Sequence, residues 1–154
     1  LSPKQNRTIP PLDYDRARRL AKRRSDLSVI LNGGLETADQ AIEEMHRCDG
    51  VMIGRVAYRT PFVLTEMAQR IFGRMPPRRD HVALVMAKYA ETMTKTGVPL
   101  HSITRHMLGL YAGQSGAKYW RRQLGENART ITAPGDFIRE TAAFCEALAA
   151  RQAA

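Results

Sequence analysis

Residues 28–55 read SVILNGGLETADQAIEEMHRCDGVMIGR, and the fold turns on them. The stretch opens on a short apolar run, 28–31, and bends at Asn32-Gly33-Gly34. A helical stripe follows at Ala38, Ala41, Ile42 and Met45. Thr37 and Gln40, three apart, predict a capping box that opens this helix, which runs to about Arg47. A second apolar run, 50–54, ends on Gly54-Arg55. Strand, helix, strand is the unit of a parallel sheet with a right-handed crossover. Neither strand alternates polar with apolar residues, which predicts burial on both faces.

Glycine at a strand end costs backbone entropy unless the chain bends sharply or something approaches it closely. Here the cost recurs at the carboxyl ends of two neighbouring strands, where parallel α/β folds place their ligands. Glycine corners allow backbone N–H groups to converge on an anion with no Cβ in the way. A helix N-terminus behind them adds favourable potential, and a guanidinium can grip phosphate oxygens through two hydrogen bonds. Asn32, Gly33, Gly34, Gly54 and Arg55 are therefore the candidate phosphate-binding residues. The alternative is that the glycines only make tight turns and Arg55 is a surface side chain. Two corners on adjacent strands, one with an arginine, favour the phosphate.

On the N-terminal side, after the irregular LSPKQNRTIPPL, Asp13 is placed to cap a helix to about Arg24. Tyr14, Ala17, Leu20 and Ala21 would form its packed face. On the C-terminal side a helix is expected over 60–73, with Thr60 as cap and Pro61 at its first position. Two strands do not make a sheet that stands alone. Residues 1–72 thus read as an incomplete α/β unit, either paired with another copy or ending a larger domain. GRMPPRRD, 73–80, has the composition of an interdomain linker. Beyond it the periodicity predicts only helices, over 80–96, 100–112, 115–127 and 134–151, hence a helical bundle over 81–154.

At 154 residues and 44% hydrophobic content, the chain has the size and composition of a soluble globular protein. It carries no apolar run near the roughly 20 residues that span a bilayer. The polar opening shows no signal peptide. Cys48 and Cys145 read as buried free thiols of a reducing, cytoplasmic compartment. The formal net charge is +9. Between Leu100 and Arg129 the one acid is Glu126, against Arg105, Lys118, Arg121, Arg122 and Arg129. Such a bias suits a polyanionic partner, and equally a solvated surface that keeps the protein soluble. KYWRR sets Lys118, Arg121 and Arg122 on one helical face. These are residues that position phosphates rather than read bases, and shape recognition of folded RNA fits them. Trp120, between them, reads as the bundle's core anchor. His46, His81, His101 and His106 show no metal-ligand spacing, so no metal is expected. His106, beside Arg105, reads as packed or phosphate-contacting.

LSPKQNR, NGG, DGVMIGRVAY and ITRHMLGLYAGQSGAKYWRRQL, in that order along essentially the whole chain, resemble the tRNA-dihydrouridine synthases, most closely their bacterial A subfamily. The resemblance implies an α/β plus all-α fold: the last strands and helices of a (β/α)8 TIM barrel that holds FMN, then a C-terminal helical domain that helps hold tRNA. It implies that Asn32, Gly33, Gly34, Gly54 and Arg55 bind the FMN phosphate. It further implies that Lys4 and Arg7 touch tRNA together with Lys118, Arg121 and Arg122. The implied activity is reduction of D-loop uridines to 5,6-dihydrouridine, with NADPH regenerating the flavin, by a protein that is monomeric when intact.

The family's proton-donating cysteine lies on a loop in the first half of the barrel, and neither Cys48 nor Cys145 matches that motif. The chain therefore resembles the C-terminal portion of such an enzyme, inactive without the missing N-terminal part of the same barrel. Two other readings stay open on the residues alone: a stand-alone helical nucleic-acid-binding module, and a barrel enzyme for phosphorylated metabolites. The second would explain the glycine corners but not the basic bundle.

Overall fold

The structure, a computed structural model, describes residues 2–6 and 11–153. After the short α1 (Pro3–Asn6), α2 (Tyr14–Arg23) begins where the Asp13 carboxylate accepts the Arg16 N–H at 2.9 Å. Strands β1 (Ile30–Asn32) and β2 (Gly50–Met52) pair in parallel, Ile30 with Gly50, Leu31 with Val51 and Asn32 with Met52. The crossover helix α3 (Ala38–Met45) carries the expected capping box. Thr37 Oγ1 accepts the Gln40 N–H, and Gln40 Oε1 accepts the N–H groups of Glu36 and Thr37.

Two small cores hold this unit. Leu31, Leu35 and Cys48 meet Tyr14, Ala17 and Ala21 of α2. Ala38 and Ala41 meet Met67, with Val51 and Ile53 contributing to both clusters. Burial on both strand faces is not what the structure shows: Leu31 is buried, but Ile30 is 54% and Met52 48% exposed. Among the described residues the sheet has two strands, and no further strand covers these side chains. Leu20 also departs from expectation and is exposed, because it falls at the margin of the stripe formed by Tyr14, Ala17 and Ala21.

Gly54 leads into α4 (Arg55–Arg59), a helix the sequence pattern does not announce, and then α5 (Phe62–Phe72). Thr60 does not cap α5 with its side chain. It closes α4, donating its N–H to Val56 O at 2.7 Å, and its own carbonyl receives the Val63 N–H. Pro61 takes the capping position of α5 instead of its first turn.

The remaining helices are α6 (Arg79–Lys95), α7 (Leu100–Thr104), α8 (Ala117–Glu126), extended by a 3-10 turn (Asn127–Arg129), and α9 (Pro134–Ala153). They share one core. Ala83, Ala87 and Ala90 leave α6 smooth enough for close packing, and Ile138, Ala142 and Cys145 of α9 join them around Trp120 and Leu124. Trp120 is fully buried, 4.7 Å from the Tyr111 ring.

The helix expected over 100–112 stops at Thr104. Beyond it, three-residue turns link Met107 to Thr104, Leu110 to Met107 and Ala112 to Gly109. Two side-chain hydrogen bonds tie this region to α8: Trp120 Nε1 of α8 donates to Met107 O at 2.8 Å, and the buried Thr104 hydroxyl, at the end of α7, donates to Leu124 O of α8 at 2.9 Å. The apolar spacing of Met107, Leu110 and Tyr111 imitates a helix while packing as a turn.

The turn also meets the α/β unit. A Cβ on Gly109 would stand 2.2 Å from Arg59 O, so only glycine admits this backbone approach. Arg79, at the start of α6, stacks 3.7 Å above the Phe62 ring centroid and donates to Leu110 O.

Candidate functional site

All five residues read as a phosphate site line one cavity of about 560 Å³, walled also by Pro11, Leu12 and Met52. The two strand ends create it by register. Asn32 and Met52 are partners in the ladder, so the corners that follow them turn out side by side. Gly33 and Gly34 both have positive φ, 114° and 67°, a region closed to other side chains without strain. The corner is pinned from α2, where Tyr14 Oη donates to Gly33 O at 2.6 Å. Gly54 differs: a Cβ there would meet only Met52 Sδ, at 3.8 Å. The space beside it is open to the cavity.

The helix end at this cavity is not the one the sequence suggests. The first turn of α3 is closed by its own capping box, whereas α4 starts from Gly54 with no side-chain cap. Arg55 is exposed at that end, and among the described residues no carboxylate lies within 4 Å of it. By contrast Arg18, Arg24, Arg47, Arg70, Arg78 and Arg139 are all ion-paired. Asp13 and Glu36 also line the cavity, with the Asp13 carboxylate engaged at the α2 N-terminus.

Lys118, Arg121 and Arg122 are exposed together on α8 and line a shallow hollow of about 680 Å³ with Gly116, Tyr119, Glu126 and Leu148. None of the three is in an ion pair among the described residues. The neighbouring aromatics are committed elsewhere: Trp120 is in the core and Tyr119 lies 4.3 Å from the Phe144 ring. Arg7 lies outside the described residues, as does the Lys4 side chain.

Both cysteines are buried and free. Burial pushes the Cys145 thiol up to about 11 and raises that of Cys48, so both stay protonated near neutrality. Among the described residues no group of His, Cys, Asp and Glu could hold a metal ion, and no helix is long and apolar enough to cross a membrane. One constellation escapes sequence reasoning. Tyr58 of α4 meets His106, 48 positions on, with Oη 2.9 Å from Nδ1, and Arg105 Nε donates to His106 Nε2 at 3.0 Å. The signal was half visible, in Arg105-His106, but its third member stands on the helix that was not anticipated.

A parallel strand–helix–strand unit with a glycine-walled cavity at its carboxyl end, joined to a helical cluster with an unpaired basic face, defines the class. The chain belongs to the dihydrouridine synthase (Dus) family, whose profile matches residues 2–149. It is 45% identical over 130 residues to a tRNA-dihydrouridine(20/20a) synthase of Vibrio vulnificus, covering 83% of this chain and 40% of that protein. The corresponding protein of Salmonella typhi is 46% identical over 142 residues, 91% of this chain and 43% of the relative. That of Escherichia coli K12 is 45% identical over 130 residues, covering 83% and 38%. The chain thus spans about 40% of the length of these relatives, and the resemblance to their C-terminal portion is borne out.

Proposed function

We propose that this chain supplies the phosphate end of a flavin site and a tRNA-gripping surface in an FMN-dependent tRNA-dihydrouridine synthase. The observation that carries the reading is the convergence of Asn32, Gly33, Gly34, Gly54 and Arg55 on one cavity. The residues fit an FMN phosphate. The space a Gly54 Cβ would reach is open, Gly33 and Gly34 carry no side chains of their own where Leu12 and Tyr14 pack against them, and Arg55 has no carboxylate partner among the described residues. When bound, FMN would supply the hydride chemistry, with NADPH as reductant.

On this reading β1 and β2 are the last strands of a (β/α)8 barrel, and the rest of the barrel covers Ile30 and Met52. Residues 73–80 link it to the tRNA-binding helices of 81–154. There Lys118, Arg121 and Arg122 hold phosphates, joined by Lys4 and Arg7. The protein works in the cytoplasm as a monomer, without a metal. The relatives' names direct the activity to uridines 20 and 20a. Cys48 and Cys145, buried and protonated, are packing residues, so proton donation rests with a cysteine of the barrel's first half. The 154 residues alone are expected to show no turnover on unmodified tRNA.

The test uses the protein at its natural length. A charge-assisted contact is worth about 1.5–3 kcal/mol, so Arg55→Ala should loosen flavin roughly ten- to hundredfold. Replacing Lys118, Arg121 and Arg122 together by Ala should weaken tRNA binding and flatten its salt dependence by up to about one log unit per lost contact, with the flavin spectrum unchanged. Full flavin occupancy of Arg55→Ala on dilution would remove the phosphate assignment. tRNA binding with no flavin at all would point to a stand-alone nucleic-acid-binding module.

A further inference from the structure

The cluster at the seam between the α/β unit and the helices has no part in the reading above. Tyr58, His106 and Arg105 are all exposed, Tyr58 at 58%. Their hydrogen bonds fix where each proton sits. Arginine has no acceptor, so Arg105 Nε–H donates to His106 Nε2, which therefore carries no proton. The proton of the neutral ring is then on Nδ1 and points at Tyr58 Oη. The tyrosine oxygen accepts, and its own hydrogen turns away from the imidazole toward solvent. A cation heads the chain, and each link polarises the next. The result is an outward O–H donor beside the remaining N–H groups of a guanidinium. Among the described residues no carboxylate lies within ion-pair reach of either Arg105 or His106.

The seam holds this array in place. Arg59 O abuts Gly109, and Tyr58 sits one turn along α4 from Arg55. We propose that Tyr58, His106 and Arg105 form a subsite for an RNA backbone phosphate where α4 meets the turn after α7. Tyrosine and arginine are both ordinary phosphate donors in nucleic-acid complexes. The proposal rests on the tRNA reading above and adds a contact separate from the α8 face.

The experiment measures binding of an unmodified tRNA transcript over a salt series, in the protein at its natural length. Tyr58→Phe keeps the ring and removes the donor; it should weaken binding about three- to tenfold with the salt slope unchanged. Arg105→Ala should weaken binding and lower the slope by roughly one unit or somewhat less. Flavin retention and melting temperature should stay at wild-type values in both. Nitrogen-15 spectra of the His106 ring should show the Nδ1–H tautomer, which gives a readout that survives if a variant misfolds. Wild-type affinity and slope in both variants, alongside a weakened α8 triple variant, would overturn the subsite and leave the tRNA reading standing. Failure of the α8 variant to weaken binding would instead strike that parent reading. An Nε2–H tautomer, or affinity lost only together with thermal stability, would also overturn the subsite.

Discussion

Glu44 is a carboxylate only 4% exposed, and sequence periodicity places it on the polar side of α3. Arg18 of α2 makes the burial tolerable, with Nε and Nη2 donating to the two carboxylate oxygens, and Arg47 stands 3.9 Å away. Hydrogen bonding from Arg18, opposed by burial, holds the Glu44 carboxyl below its ordinary value of 4.5. A carboxyl lowered in the folded state adds stability that is complete above the unfolded value and lost as the pH falls through the folded one. Thermal melts of the wild type should therefore decline below about pH 4.5. Glu44→Gln should lower the melting temperature at neutral pH by on the order of 5 °C and flatten that acid arm. An arm of unchanged steepness would show that another carboxylate dominates. At this scale the five cavity residues are legible because glycine at a strand end has so few uses. Lys118, Arg121 and Arg122 are legible because helical spacing suffices to align them. Tyr58 is not, since its partner is 48 positions away and only packing brings them together.

Secondary-structure elements show where pattern and physics part. The capping box of α3 and the Asp13 cap of α2 are local hydrogen bonds, and the structure has both. The 105–112 segment has a helix's apolar spacing, yet Trp120 of α8 takes the Met107 carbonyl, and Thr104, just before the segment, is tied to Leu124 O of α8. α4 is only five residues long, too short to show a period. Two glycine substitutions separate the causes. Gly109→Ala forces a Cβ against Arg59 O and should cost about 2 kcal/mol or more, since the atom in the way is backbone. Gly125→Ala, in α8 with open space around it, should stabilise by about 0.5–1 kcal/mol, the helical preference of alanine. Denaturant unfolding of both variants checks the pair; equal shifts of one sign would mean that the seam does not bear on stability.

For the whole molecule, the two-stranded sheet leaves Leu12, Leu27, Ile30 and Met52 exposed, each at 45% or more. Apolar strand faces of this kind recruit other chains. The 154 residues on their own are expected to self-associate with rising concentration, and Ile30→Lys with Met52→Lys to suppress it, as read by sedimentation velocity. A monomer at all concentrations would mean that the sheet needs no cover. The expectation of strands buried on both faces failed for the same reason. Apolar runs without alternation predict cover on both faces, and among the described residues no further strand lies beside these two.

The single turn of α4 between Arg55 and Tyr58 acts as a ruler. Three residues of α-helix advance about 4.5 Å and return to nearly the same face. If one end holds a cofactor's phosphate and the other a phosphate of the substrate's backbone, the offset between the two ligands is set by helical pitch, not by a flexible loop. The Gly109 contact fixes the ruler's far end against the helical cluster. Lengthening α4 by one residue would swing Tyr58 by about 100° around the axis, so tolerance to insertion in this family should end abruptly between these two positions.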